Sequence, residues 1–295
     1  ARRDYFRQWL DAGRHGEMSY LGDRFAERTD PRGYLPGAKS VICVAMNYHA
    51  PLKPCPADSD LASPGKIARY ALGADYHELI RPRLRSLADW LRQAAPGCAT
   101  KAAVDTAPVM EKDLAVRAGI GWMGKNTCII HPRLGSWLFL GEVITTAELA
   151  PDEPITDHCG TCTRCIDACP TAAITAPYQL DATRCIAYLT IEHRGPIEPS
   201  MQEKIGDWLF GCDICQDVCP HNRQPPETCE SNLQPRIDSG TLDVDAIASW
   251  TSDTYRATLR GSAVKRVALP ILKRNAETVK TNLTRSRGGA ERIKE

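Results

Sequence analysis

No stretch of this 295-residue chain approaches the roughly 20 consecutive apolar residues that a transmembrane helix needs. Net charge is only +1, which excludes a protein that binds nucleic acid through overall basicity. The HExxH pattern of zinc hydrolases and the GxSxG elbow of serine hydrolases are both missing. The chain opens Ala1-Arg2-Arg3-Asp4-Tyr5 without a methionine, so a trimmed start is expected, and no signal peptide is visible. With 43% hydrophobic and 25% charged residues the composition is that of an ordinary globular protein. The length suits two or three domains.

Cysteine is what the chain has in excess: 13 residues. Cys43, Cys55, Cys98, Cys128 and Cys229 are scattered, whereas the other eight fall between Cys159 and Cys219. An odd total without any sign of secretion argues against a disulfide framework and for metal ligation. Cys159-x2-Cys162-x2-Cys165-x3-Cys169-Pro170 is the spacing with which bacterial ferredoxins hold a 4Fe–4S cluster. Three thiolates on a tight loop reach three corners of a cubane, and the fourth, on the helix that follows, points to a second cluster. Cys212-x2-Cys215-x3-Cys219-Pro220 repeats the motif without its first cysteine, which Cys185 can replace. The implied pairing is crossed. One cluster takes Cys159, Cys162, Cys165 and Cys219, and the other takes Cys169, Cys185, Cys212 and Cys215. Structural zinc also uses C-x2-C pairs, but it needs only four ligands and no Cys-Pro ending. Two adjacent one-electron centres suit a two-electron reduction.

Three regions follow from composition: residues 1–150, the cysteine-rich 151–235, and a helical 236–295. In the first, strands are expected at Ser40–Met46, Ala102–Val104, Thr127–Ile130 and Ser136–Ile144. Helices are expected over Asp75–Ala95 and Pro108–Ala118. Mixed α/β is the fold class these alternations imply. In the last region helices are expected at Leu242–Trp250 and Ser262–Leu283, the second kinked or broken at Pro270. It resembles one helix pair of a HEAT-type repeat, which has no core of its own and should pack on the preceding domain. From Thr251 onward 11 Lys and Arg stand against 4 acidic residues, either a footprint for a polyanion or a solvated helical face.

Gly119-Ile120-Gly121-Trp122-Met123-Gly124 matches GxGxxG, yet a helix precedes it, a strand follows, and Asn126 stands where a P-loop requires Ser or Thr. A turn close to a large flat cofactor is the better reading. His77 and His131 are isolated and read as structural or surface histidines. Asp105 sits at the expected end of a strand, where ligands and chemistry collect. A carboxyl buried there would have a raised pKa and a proton to give; the alternative is a turn or cap ahead of Pro108.

Together these motifs resemble the epoxyqueuosine reductase family. The resemblance lies in Arg69-Tyr70-Ala71-Leu72-Gly73-Ala74-Asp75-Tyr76-His77, Val104-Asp105-Thr106-Ala107-Pro108 and Ala118–Asn126, and again in Cys185–Glu192 and Gly211–Gln216. It runs in order from about Tyr5 into the helix near Asn275. It implies a nitroreductase-like cobalamin-binding domain, a bacterial-type ferredoxin domain with two 4Fe–4S clusters, and a short HEAT-like C-terminal part. The implied reaction reduces epoxyqueuosine to queuosine at the wobble position of tRNA, the last step of queuosine biosynthesis, in the cytoplasm. Electrons pass from the clusters to cobalamin, and Asp105 donates a proton. Matching motifs imply cobalamin contacts at Arg69, Tyr70, Asp105, Lys125 and Asn126, with Ile129 and Leu140 packing on the corrin; Cys98 lies near Asp105 in sequence but reads as a buried structural thiol. The anticodon stem-loop would lie on the basic C-terminal helices and the segment from His193 to Trp208, with the target base unstacked. The resemblance further suggests a monomer reduced by an electron donor that the sequence does not identify. A cobalamin-dependent reductase of a small molecule, akin to reductive dehalogenases, is the second reading. A non-catalytic ferredoxin-type electron carrier is the third.

Overall fold

The computed structural model describes residues 2–52, 63–237 and 239–291, with side chains followed to residue 286. Cys55, Arg292, Lys294 and the Arg287 side chain lie outside the described residues. Among the described residues no helix is long and apolar enough to cross a membrane.

An antiparallel sheet organises the first half. Its central strand, Leu138–Thr145, is flanked by Ser40–Asn47 and by Thr100–Ala103, both antiparallel to it. Alternation along the central strand sends Phe139, Gly141 and Val143 to one face and Leu140, Glu142 and Ile144 to the other. The first face is covered by the helix Tyr76–Ala94, which buries Ile80, Leu84, Ala88 and Leu91. Gly141 lets the helix approach closely there: a β-carbon would stand 2.9 Å from Leu84 Cδ1, and that side chain would have to shift. The helix begins where expected because the Asp75 side chain accepts from the His77 backbone N–H. The second face lies under the short helix Glu111–Arg117, through Leu114 and Ala115. That helix starts three residues later than the expected Pro108, and the strand expected to end at Val104 ends at Ala103. The mix is α+β, and the sheet that carries Asp105 contains no adjacent parallel strands.

A second sheet ties the three regions of sequence together. Pro64–Ile67 pairs in parallel with Trp208–Phe210 and antiparallel with Thr241–Asp243. Neither partner strand was legible as one: the helix expected from Leu242 is a strand first and becomes helical only at Val244–Ser249. One core accordingly mixes Ile67 and Leu72 with Leu209, Phe210, Ile247, Leu272 and Val279.

Pro270 does not kink the C-terminal helix. A 3-10 turn over Ala263–Arg266 ends, and Leu269–Glu291 begins, so that Pro270 occupies the first turn, where its missing N–H costs nothing. This helix is pinned to the preceding region by two neighbouring side chains. Arg274 donates to the carbonyls of Leu189, His193 and Gly195 at 2.6–2.8 Å. Asn275, 1% exposed, donates to Thr190 and Leu209 carbonyls. Arg274→Ala leaves three partly buried carbonyls without donors. It is expected to cost about 3 kcal/mol, roughly a 10 °C fall in Tm in a thermal melt; an unchanged melt would show that water replaces the guanidinium.

Candidate functional site

Two tight turns carry the cysteines. Cys159 N–H is held by the Asp157 carboxylate at 2.6 Å, and Cys162 N–H by the Cys159 carbonyl. The short helix Arg164–Asp167 then sets Cys165 and Cys169 one turn apart, and Ile214–Asp217 does the same for Cys215 and Cys219. One cavity is lined by Cys159, Cys162, Cys165 and Cys219, together with Lys125, Asn126 and Ile130. Cys169, Cys185 and Cys212 lie within electrostatic reach of one another, and Cys215 lies within reach of Cys185 and Cys212. Backbone N–H groups turn toward the sulfurs, Ala173 N–H donating to Cys169 Sγ at 3.3 Å. Two sets of four thiols, each drawn from both motifs and ringed by N–H donors, fit the 4Fe–4S donor chemistry. No disulfide joins any of the described cysteines.

The glycine-rich turn serves these loops. Gly119 follows the helix at φ +69°, the hairpin Trp122–Met123/Ile129–Ile130 comes next, and no helix opens after it, so the nucleotide reading is excluded by geometry. Lys125 Nζ donates to the carbonyls of Gly160 and Cys162 at 2.7 and 2.9 Å. Asn126, 5% exposed, donates to the Cys215 carbonyl. Both side chains therefore hold the cysteine loops, one to each motif. Ile129 is buried in the same hairpin. Cys128, unremarked in the sequence, hydrogen-bonds through its thiol to Cys215. Cys98 caps the Leu91 carbonyl at 3.9 Å, as a structural thiol does.

Asp105 lies just beyond the edge strand, in the left-handed region at φ 49°. Asp tolerates that conformation better than most side chains. The Thr106 N–H donates back to the Val104 carbonyl at 2.6 Å, closing a tight turn. Of the two readings the sequence left open, the turn is the one observed, and the Asp105 side chain is 53% exposed. Its pKa is not raised. Desolvation pushes it up, but the hydrogen bond and charge of His77, the nearby Arg266 and a hydrogen bond from Tyr76 bring it below the ordinary carboxylate value. Asp105 is an anion at neutral pH, and the proton sits on its partner.

That partner is His77, which the sequence placed in a family motif but which read as a structural or surface histidine. Nε2 stands 3.2 Å from Asp105 Oδ2 and Nδ1 stands 2.8 Å from Asp75 Oδ1. Flanked by two carboxylates, the imidazole has its pKa raised to about 9. The N-cap that starts the helix thus also fixes the ring, with Tyr76 stacked beside it. The only cue in the sequence was the Asp-x-His spacing at a helix start.

Tyr70 links this pair to the cysteines. It lies within electrostatic reach of both Asp105 and Asp213, and Asp213 stands between Cys212 and Cys215 and accepts from the Arg69 backbone N–H at 2.7 Å. The Arg69 guanidinium lies over Trp137 and near Asp217. Leu140 is two residues from Glu142 on the same face of the central strand. Of the expected cobalamin contacts, Tyr70 and Asp105 therefore share one neighbourhood; Asn126 reaches the Cys212–Cys215 turn from its other side, and Leu140 lies on the central strand.

The basic C-terminal segment is partly consumed internally. Arg274 holds carbonyls, Arg266 pairs with Glu192 at 2.9 Å, Lys280 with Asp245, and Arg256 with Asp253. Arg260 and Lys265 are exposed.

Comparison with known proteins accords with this geometry. Residues 28–106 match the family model described as "Epoxyqueuosine reductase QueG, DUF1730", and residues 158–222 match the 4Fe-4S double cluster binding domain. The chain is 40% identical over 279 residues to the epoxyqueuosine reductase of Synechococcus sp. (strain CC9605), covering 94% of this chain and 84% of that one. It is 40% identical over 278 residues to that of Pseudomonas aeruginosa, covering 92% and 75%. A solved epoxyqueuosine reductase bound to an epoxyqueuosine-modified tRNA-Tyr stem loop superposes with a TM-score of 0.88 at 32% identity, covering 95% of this chain and 74% of that one. The Bacillus subtilis enzyme, captured with its catalytic aspartate loop swung out of the active site, gives 0.87 at 31% identity over 95% and 74%.

Proposed function

The chain belongs to the epoxyqueuosine reductase family of oxidoreductases, and from that premise we propose that it reduces epoxyqueuosine in the tRNA anticodon loop to queuosine. Two 4Fe–4S clusters, on the two crossed cysteine sets, would supply the electrons. The observation that carries the reading is the Asp105–His77 pair, a proton source set beside Tyr70, whose other side meets the Cys212–Cys215 turn.

A redox cofactor held against Tyr70 and Asp105 would touch both the proton source and the electron source, and cobalamin would be held there. Bound cobalamin supplies the reducing chemistry at the epoxide carbon. The chain's own part is to hold and move protons. Opening the epoxide and leaving an alkene takes two electrons and two protons and releases the oxygen as water. The His77 imidazolium, which Asp75 orients, gives its proton through the Asp105 carboxylate to the departing oxygen, and the second proton comes from solvent by the same path. Lys125 and Asn126 act one step back, fixing the cysteine loops against the hairpin.

The pair predicts a pH profile. His77, with its pKa raised to about 9, keeps its proton through neutrality and loses it above that value. Single-turnover rates should hold level to about pH 8 and fall tenfold per unit well above pH 9. His77→Asn should be slower throughout and lack that limb; an unaltered profile in the variant would remove His77 from the proton path.

The deciding assay is anaerobic reduction of an epoxyqueuosine-containing anticodon stem-loop with a chemical reductant, with and without cobalamin, read by mass spectrometry of nucleosides. Loss of one oxygen, dependent on cobalamin, is the expected result. No product from protein with both clusters and cobalamin bound would move the reading to a small-molecule reductase. Failure to bind cobalamin at all would leave an electron carrier.

A further inference from the structure

Glu142 is the one acid in an otherwise apolar central strand, and none of the chemistry above uses it. In the ladder it stands opposite Cys43 on one side and Ala103 on the other, so all three point to the face beneath the helix Glu111–Arg117. It is fully buried, and among the described residues no donor reaches either carboxyl oxygen. Its polar neighbour is a second carboxyl, that of Glu111, the first residue of the covering helix. Two carboxylates in contact within an apolar cluster of Ala103, Leu114 and Ile144 do not both ionise. With one proton between them they form a strong charge-assisted hydrogen bond.

Glu111 has a second contact: its carboxylate accepts from the backbone N–H of Asp105. Asp105 is held at φ 49°, a conformation that a non-glycine residue keeps only when its surroundings impose it. The chain of contacts therefore runs from a buried acid, through a half-buried one, to the main chain of the proton donor. The other groups facing this pair are the Cys43 thiol and Arg117 from one side and Arg28 and Lys112 from the other. The Lys112 ammonium is turned away to the Thr127 carbonyl at 3.0 Å. Burial and mutual repulsion both raise the pKa of Glu142, which keeps the shared proton in place at neutral pH.

We infer that Glu111 and Glu142 share one proton and form a positioning pair that holds the Asp105 turn inward, with Glu142 as donor, Glu111 as relay and the Asp105 N–H as the group held. Both are positioning residues, since neither faces the substrate. The inference rests on the proposed role of Asp105 but is separable from it, because the turn is held whether or not RNA is bound.

The test is amide hydrogen exchange of residues 103–108 in the cluster-loaded protein without RNA, joined to steady-state turnover of the stem-loop. Glu142→Leu keeps the volume apolar and removes the donor. The Asp105 amide is expected to exchange at least tenfold faster, and kcat to fall at least tenfold with KM within twofold. Glu142→Gln, whose amide N–H still donates to Glu111, is expected to restore both. Glu111→Ala removes the acceptor from a half-buried position and should reproduce the fast exchange, which preserves the test if Glu142→Leu fails to fold. Folded Glu142→Leu and Glu111→Ala with parental exchange at Asp105 overturn the inference, as does Glu142→Gln behaving like Glu142→Leu. If the parent protein reduces no RNA yet the exchange pattern appears, the positioning pair stands and only the substrate reading falls.

Discussion

Asp105→Asn is expected to lower single-turnover reduction of the stem-loop by at least about a hundredfold, the low end of what a positioned general acid contributes. The replacement is nearly isosteric. Its amide retains an oxygen to accept from Tyr76 and His77, and the Glu111 contact is to the backbone N–H, which the substitution leaves intact. Cluster absorbance and RNA affinity should therefore be those of the parent. What is lost is a group that exchanges a proton with the imidazolium and hands it on. Asp105→Glu separates chemistry from placement: it keeps the acid but lengthens it by a methylene on a turn with no freedom to retreat, so partial activity is expected. Full activity of the asparagine variant would show that His77, 3.2 Å behind it, protonates the substrate directly.

The limits of the sequence show most clearly around this residue. Asp105 was recognisable because strand-end acids ahead of a proline are local signals. Its protonation state was not, because it depends on His77, brought back from 28 positions earlier by a helix that packs across the sheet. Of the two readings left open there, a buried acid with a raised pKa or a turn ahead of Pro108, the structure shows the turn, with the carboxyl half exposed and its pKa lowered. The cysteine sets were legible for the opposite reason: the spacing is dictated by the cluster and nothing remote is needed to read it. The strands Trp208–Phe210 and Thr241–Asp243 went unread because each is three residues long and exists only through pairing with Pro64–Ile67. Glu142 did leave a mark, an acid inside Ser136–Ile144, but a strand assignment made on the apolar majority passes over it. The Lys125-Asn126 pair was read as facing a corrin; what only the folded hairpin adds is that both side chains also bond to cysteine loops more than 30 residues away.

The proposed crossed ligation makes an unusual demand on cysteine variants. Cys219 belongs to the second motif but lines the cavity of Cys159, Cys162 and Cys165, so Cys219→Ala should abolish the cluster named for the first motif and spare the other. Cys185→Ala should do the reverse, although Cys185 lies outside both CxxC runs. Each variant is expected to bind half the parental iron and to show the electron paramagnetic resonance of one isolated cluster, without the broadening that two neighbouring spins produce. Cys185→Ala should also abolish turnover, because its cluster is the one whose Cys212–Cys215 turn meets Tyr70 on the way to Asp105. Among the described residues Cys128 is the thiol in a position to interfere, since it lies against Cys215. Cys128→Ala is expected to keep both clusters, which would place it beside the second cluster and not on it. If Cys185→Ala retained full iron while the double variant with Cys128→Ala lost half, Cys128 would be a ligand and the eight-thiol assignment would need a ninth. If Cys219→Ala instead destroyed the cluster of Cys212 and Cys215, ligation would be sequential within each motif. The cavity that now gathers Cys219 with the first run would then be a packing contact only.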